Sequence, residues 1–316
     1  LRVYARAPGK AIICGEHFVV HGSYALAAAL NRTVICCVTD HPKLEILSEN
    51  LGIVSRPPDE VPSELKAITL SVEHALERSA NPGGMRLVIR SDIPVASGLG
   101  SSAAVAVASV AAATRYAGIK VKPEELAELA MVSERMIHGN PSGIDIEVSL
   151  RGGVILFKRG EGSYPVSLPS PLELILASEK GGRKTSEMIE RFRRKKDRAP
   201  SLFEGLVKAS STMSKVAADA LKDGDSERLG SILTFFHMVL MGFDLSTQQL
   251  NEMVDEALGG GCVGAKMTGA GGGGSIVCLP YPSRGREVIG KLESKGYKAF
   301  SVSIPQEGLQ VWEEKD

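Results

Sequence analysis

Ile93-Pro94-Val95-Ala96-Ser97-Gly98-Leu99-Gly100-Ser101-Ser102-Ala103-Ala104 is the stretch whose reading decides the fold. It follows a strand-like run, Leu87-Val88-Ile89-Arg90, and leads into Ala103 to Ala113, a strongly helix-forming segment. The order is therefore strand, tight turn, glycine loop and helix start. Gly98 and Gly100 admit positive φ and carry no side chain, so backbone amides can approach an oxyanion closely. Ser101 and Ser102 suit an N-cap or a first helical turn. A helix N-terminus offers unpaired N–H groups and the positive end of the dipole, which together make an anion site. The stretch is read as a cradle for nucleotide phosphates. By itself a Gly-Ser turn before an Ala-rich helix need bind nothing, so its neighbours must decide.

Working outward, 316 residues are enough for two domains with separate cores. Hydrophobic residues make up 43% and charged residues 23%, the balance of a soluble globular chain. Lys+Arg and Asp+Glu are equal at 37 each, so no basic excess points to nucleic acid and no acidic excess to a solvating tail. Small-molecule partners are expected. The five cysteines (Cys14, Cys36, Cys37, Cys262, Cys278) show no zinc spacing. Leu1 to Arg6 has no signal-peptide layout, and the apolar run Ala103 to Ala113 is too short to cross a bilayer. A cytoplasmic location and no membrane partner are expected.

Along the chain, Val3 to Ala7 and Ala11 to Cys14 read as short strands broken at Pro8-Gly9-Lys10, and Tyr24 to Leu30 as a short helix. Thr33 to Thr39 and Leu44 to Leu47 read as strands, residues 50–62 as a surface loop, and Glu64 to Ser79 as a helix. A second helix starts at Pro123 with Glu124 and Glu125 in its first turn. On it, Ala127, Ala130, Glu134 and His138 share a face of small residues that ends in two polar ones. Gly139 to Gly143 breaks this helix, and Ile144-Asp145-Ile146-Glu147-Val148 alternates as an extended segment would. The pattern changes at Ser167 to Leu172, which sets the boundary between domains 1–168 and 169–316. The second domain opens on a strand, Leu172 to Ala177, continues in helices, and ends in strands at Ile276 to Leu279 and Ala299 to Ile304. Gly285 to Leu292 imitates a Walker spacing, but Leu292 offers no hydroxyl and the segment lies within an amphipathic helix.

Three glycine-bearing motifs now stand in one chain: Ala7-Pro8-Gly9-Lys10 with Gly15-Glu16-His17-Phe18-Val19-Val20-His21-Gly22, the loop at 94–104, and Lys266-Met267-Thr268 with Gly269 to Gly274. Glu134 to Asp145, a helix end and a turn, completes the set. In these residues, over essentially the whole length, the chain resembles the GHMP kinases, which phosphorylate small molecules such as galactose, homoserine, mevalonate and phosphomevalonate. Within them it is most similar to those acting on mevalonate. The resemblance implies a two-domain α+β fold, with a ribosomal protein S5 domain 2-like N-terminal domain and a ferredoxin-like C-terminal domain. It implies ATP and Mg²⁺, a mevalonate acceptor in the cleft between domains, and a possible homodimer.

The resemblance also carries roles. ATP would be held by Pro94, Ala96, Ser97, Gly98, Leu99, Gly100, Ser101 and Ser102, with Gly271 and Gly272 closing from the second domain. Asp145 and Lys10 would be catalytic, Asp145 facing the acceptor hydroxyl. Ser102 and Glu134 would hold Mg²⁺, and Lys10, Glu16, His17, Asp145 and Thr185 would bind the acceptor. Phosphoryl transfer asks for positioning and charge neutralisation more than covalent help. A hydroxyl and one carboxylate leave room for the phosphate oxygens and waters that magnesium prefers. Taken singly, Asp145 could pair with Arg151, Glu134 could be an exposed partner of Arg135 or Lys122, and His17 could be a turn residue. A kinase of another alcohol and a non-catalytic ATP-binding regulator are the alternatives. Phe18 and His21 stand where Ala and Tyr are common in the family, and Arg183-Lys184-Thr185-Ser186 replaces its Ser/Thr-Lys segment.

Overall fold

The structure is a computed structural model, and it describes residues 1–79, 82–94, 98–179 and 185–315, the side chains of 185 and 186 excepted. The first domain comprises β1 (Arg2–Cys14), β2 (Ala25–Asp40), β3 (Glu45–Ser48), β4 (Ile53–Ser55), α1 (Ser63–Leu76), β5 (Met85–Ser91), α2 (Ser101–Tyr116), α3 (Pro123–His138), α4 (Ile144–Arg151), β6 (Val154–Lys158) and β7 (Gly162–Val166). The second comprises β8 (Glu173–Ser178), α5 (Thr185–Arg198), α6 (Pro200–Asp223), α7 (Ser226–Gly242), α8 (Gln248–Gly261), β9 (Cys262–Thr268), β10 (Ser275–Pro280), α9 (Gly285–Ser294) and β11 (Lys298–Ser303). A last strand, β12 (Gln310–Glu314), returns to the first domain and pairs with β1.

The first sheet runs β12-β1-β2-β5-β3-β4, with β6 on the first part of β2 and β7 beside β6. Among the described residues, only β3 and β5 pair in parallel. The second sheet is antiparallel in the order β11-β8-β10-β9, the β-α-β-β-α-β arrangement of a ferredoxin-like unit. Alanine is what lets α2 lie in the middle of the first domain. Its Ala103, Ala104, Ala106, Ala108, Ala112 and Ala113 are fully buried, and their small side chains permit close approach to β1, β2 and α3. Among the described residues, no helix is long and apolar enough to cross a membrane.

Several elements depart from the sequence pattern, and each for a tertiary reason. The expected helix Tyr24 to Leu30 is strand from Ala25 on, and Ala25 to Leu30 are all buried in β2, where small residues fit a strand covered on both faces. Pro8-Gly9-Lys10 does not break β1 but bulges it, with a register shift against β2 between Pro8 and Lys10. Residues 144–151 are helix rather than extended, because Gly143 at φ 92° starts a turn that the buried Ile144, Ile146 and Val148 then anchor. Residues 53–55 form β4 within the expected loop. Gly259 to Gly261 end α8, and β9 follows directly at Cys262.

Candidate active site

The site begins at the bulge in β1. A Cβ on Gly9 would stand 2.7 Å from the Leu99 carbonyl oxygen, so the glycine loop lies directly on this strand. The Lys10 amide donates to the Leu99 carbonyl at 2.8 Å. Its Nζ donates to the Gly98 carbonyl at 3.2 Å and stands 3.1 Å from Asp145 Oδ2. The Lys10 side chain is 4% exposed and that of Asp145 27%, so the cation sits beneath and the carboxylate opens outward. Gly100, at φ 75°, caps α2, and a Cβ there would come within 2.8 Å of Lys10 Cγ.

Ser101 and Ser102 form the first turn of α2, and the Ser102 hydroxyl is close enough to the Glu134 carboxyl to oppose the rise of its pKa. Glu134 belongs to the last turn of α3 and is 3% exposed. Its Oε1 is buried with no hydrogen-bond partner, while Oε2 lies 3.7 Å from His138 Nε2. Burial, and then the neighbouring Asp145 charge, push the Glu134 carboxyl up to about 7; the Ser102 hydroxyl and Lys10 offset only part of this. Asp145 lies in the first turn of α4, where the helix dipole favours a negative charge. Four side chains from four elements thus converge on one spot beside a helix N-terminus.

The segment after β1 reaches the second domain. Glu16 and Lys266, both almost wholly buried, form an ion pair across the domain junction, and Lys266 Nζ also donates to the carbonyls of Met267 (2.5 Å) and Ile12 (3.4 Å). Burial raises the Glu16 carboxyl, and the Lys266 charge opposes that rise. His17 Nε2 is 2.9 Å from the Ala270 carbonyl. Phe18, fully buried, packs against Phe192, Phe203, Phe236 and Phe243 at centroid distances of 5.3 to 6.1 Å, which fastens this segment to α5, α6 and α7.

The structure therefore brings Lys10, Gly98, Leu99, Gly100, Ser101, Ser102, Glu134 and Asp145 together. Asp145 does not pair with Arg151, which takes Glu147 at 2.7 Å, and Arg135 takes Glu128 at 3.0 Å rather than Glu134. Glu16 is held in the junction by Lys266. Gly272 donates its amide to the Leu245 carbonyl at 2.8 Å, and a Cβ on Gly271 would meet that same oxygen at 2.2 Å. Pro94 precedes the loop; Ala96 and Ser97 lie outside the described residues, as does the side chain of Thr185 at the start of α5. Lys266 had no role in the sequence pattern. Its signal was a lysine in a stretch of small and apolar residues that could only be buried.

A cavity of about 770 Å³ lies at the opposite ends of α2 and α3. Its Arg115 and Arg151 are already paired with Glu313 and Glu147.

Comparison with known proteins agrees with this geometry. The model for the GHMP kinases N terminal domain matches residues 66–153, and that for GHMP kinases C terminal matches 217–298. The mevalonate kinase of Pyrococcus furiosus is 32% identical over 99% of both chains, and that of Aeropyrum pernix is 33% identical over 98% of both. The crystal structure of L. major mevalonate kinase in complex with R-mevalonate superposes with a TM-score of 0.82, at 25% identity over 96% of each chain. A two-domain α+β fold matched in both halves, and relatives alike from end to end, place the chain in the GHMP kinase family.

Proposed function

We propose that this chain transfers the γ-phosphate of ATP to the hydroxyl of mevalonate, giving 5-phosphomevalonate. The observation that carries the reading is Asp145, partly open and paired at 3.1 Å with the buried Lys10, beneath the glycine loop and beside the Ser102–Glu134 pair. Support for the acceptor comes from the near-full-length relatives named mevalonate kinase.

The amides at the start of α2 receive the phosphates of ATP, with Gly98 to Ser102 forming the described part of the cradle. The acceptor takes the space over Lys10 and Asp145, bounded by the Glu16–His17 segment and by α5 at Thr185. Asp145 accepts a hydrogen bond from the acceptor hydroxyl and takes its proton as the new P–O bond forms. Lys10 stabilises the charge that develops on that oxygen. Among the described residues no group of three or more His, Cys, Asp or Glu could hold a metal. A buried carboxylate oxygen without a partner beside a serine hydroxyl nevertheless fits Mg²⁺, whose remaining ligands are phosphate oxygens and water. Glu134 and Ser102 would hold it, and it supplies neutralisation of the β- and γ-phosphate charge.

The test is ADP release with mevalonate, phosphomevalonate, homoserine and galactose as acceptors. Turnover of mevalonate well above the others is expected. Turnover of phosphomevalonate alone would replace the acceptor, and ATP binding without turnover of any would identify a regulator.

A further inference from the structure

Beyond Arg6, among the described residues, β1 has no strand on its outer edge, since β12 pairs only with Arg2 to Arg6. Alternate residues of a strand direct their N–H and C=O groups to the same edge. The groups so directed at Pro8, Lys10 and Ile12 are met by three different parts of the molecule. The Pro8 carbonyl accepts from Ser149 Oγ of α4 at 2.9 Å. The Lys10 amide donates to Leu99 of the glycine loop at 2.8 Å. At Ile12 the amide donates to Thr268 Oγ1 at 3.1 Å, and the carbonyl accepts from Thr268 Oγ1 at 3.2 Å and from Lys266 Nζ at 3.4 Å. One strand edge thus aligns the helix that carries Asp145, the first glycine loop, and the strand that runs into the second glycine loop.

Only the third of these contacts joins the two domains, and it is built from side chains. Lys266 is fully buried and places its Nζ on Glu16, Ile12 and Met267. Burying a lysine and a glutamate together contributes little net stability, because desolvation offsets the attraction; well-packed apolar residues would hold the domains as firmly. What an ion pair with directed hydrogen bonds adds is register.

We propose that Lys266 is a positioning residue for phosphoryl transfer: with Thr268, it locks the end of β1 through Ile12 and Glu16 and so sets the glycine loop at 269–274 against the Lys10–Asp145 pair. This rests on the phosphotransferase reading above. Lys266 touches neither phosphate nor acceptor. It acts on catalysis through the alignment of two domains, and Thr268 supplies the second point that prevents rotation about the first.

The experiment compares wild type with the Lys266→Met/Glu16→Gln double variant, and separately Thr268→Val with Thr268→Ser. Each is measured for kcat, for KM of ATP and for melting temperature. The double variant is expected to keep its melting temperature within a few degrees while kcat falls about ten-fold or more, and KM for ATP changes far less. Thr268→Ser, which keeps the hydroxyl, is expected to hold kcat near wild type, and Thr268→Val to lower it. Wild-type kcat in the double variant overturns the inference, as does a fall in kcat that only follows a fall in melting temperature. If wild type uses another alcohol of the panel, the acceptor reading fails and the same comparison is made on that alcohol. If it uses none, the kinase reading fails and this inference falls with it.

Discussion

Replacing Glu134 by glutamine should make the protein more stable at alkaline pH and less active. Glu134 is 3% exposed, one of its oxygens has no partner, and its carboxyl is raised from 4.5 to about 7. Between those two values the folded chain binds a proton at this position that the unfolded chain has released. Stability conferred by the protonated form is complete below pH 4.5 and is lost as pH rises through about 7. At about 1.36 kcal/mol per pH unit, the loss reaches about 3 kcal/mol. A glutamine side chain carries no titrating proton, so in the Glu134→Gln variant this slope disappears. The assay is urea unfolding of both proteins at pH 4.5 and pH 8, with EDTA present to exclude divalent cations. Near pH 4.5 the two should differ little; at about pH 8 the variant should be more stable by about 2–3 kcal/mol, while its kcat falls and its Mg²⁺ requirement rises. Equal pH dependence in the two proteins would refute the reasoning, because Glu134 would then carry no desolvated charge. That carboxylate is also what a cation would relieve, so its cost without metal and its use with metal have the same origin.

Asp145→Asn should lower kcat by about 10²-fold or more while leaving ATP affinity close to wild type, measured by steady-state kinetics and nucleotide titration. A near-normal rate would remove Asp145 from the chemistry. Gly100→Ala should cost about 1–3 kcal/mol in unfolding free energy, because Gly100 has φ 75° and the added Cβ would stand 2.8 Å from Lys10 Cγ. Its kcat should fall as well, since Lys10 must shift away from Asp145; unchanged unfolding and rate would show that the loop does not press on Lys10.

Much of the site was legible in the chain because the chemistry is written locally. The glycine loop, the serines that follow it and the Ala-rich helix are consecutive residues, and their reading needs only backbone sterics and helix-end electrostatics. The small-residue face of α3 ends in Glu134 and His138, but it was the resemblance to the GHMP kinases that gave Glu134 a role. Where the pattern misled, local and tertiary preferences were in conflict. Residues 144–148 alternate like a strand, yet Gly143 at φ 92° starts a helical turn and Ile144, Ile146 and Val148 are buried from that helix. Residues 24–30 are rich in helix formers, but burial on both sides of the sheet outweighs a propensity of a few tenths of a kcal/mol per residue.

By itself, then, the sequence marked a glycine loop before a helix as a place for an anion, and its resemblance to the GHMP kinases named Lys10, Ser102, Glu134 and Asp145 as the candidates to act beside it. Only the tertiary structure decided that Lys10 faces Asp145 at 3.1 Å, that Glu134 has a buried oxygen without a partner, and that Glu16 meets Lys266 from the other domain. The difference is one of range. Turns, caps and helix starts are set by forces among neighbours, whereas a contact between residues 250 positions apart exists only once both cores have formed and fixed the register between them.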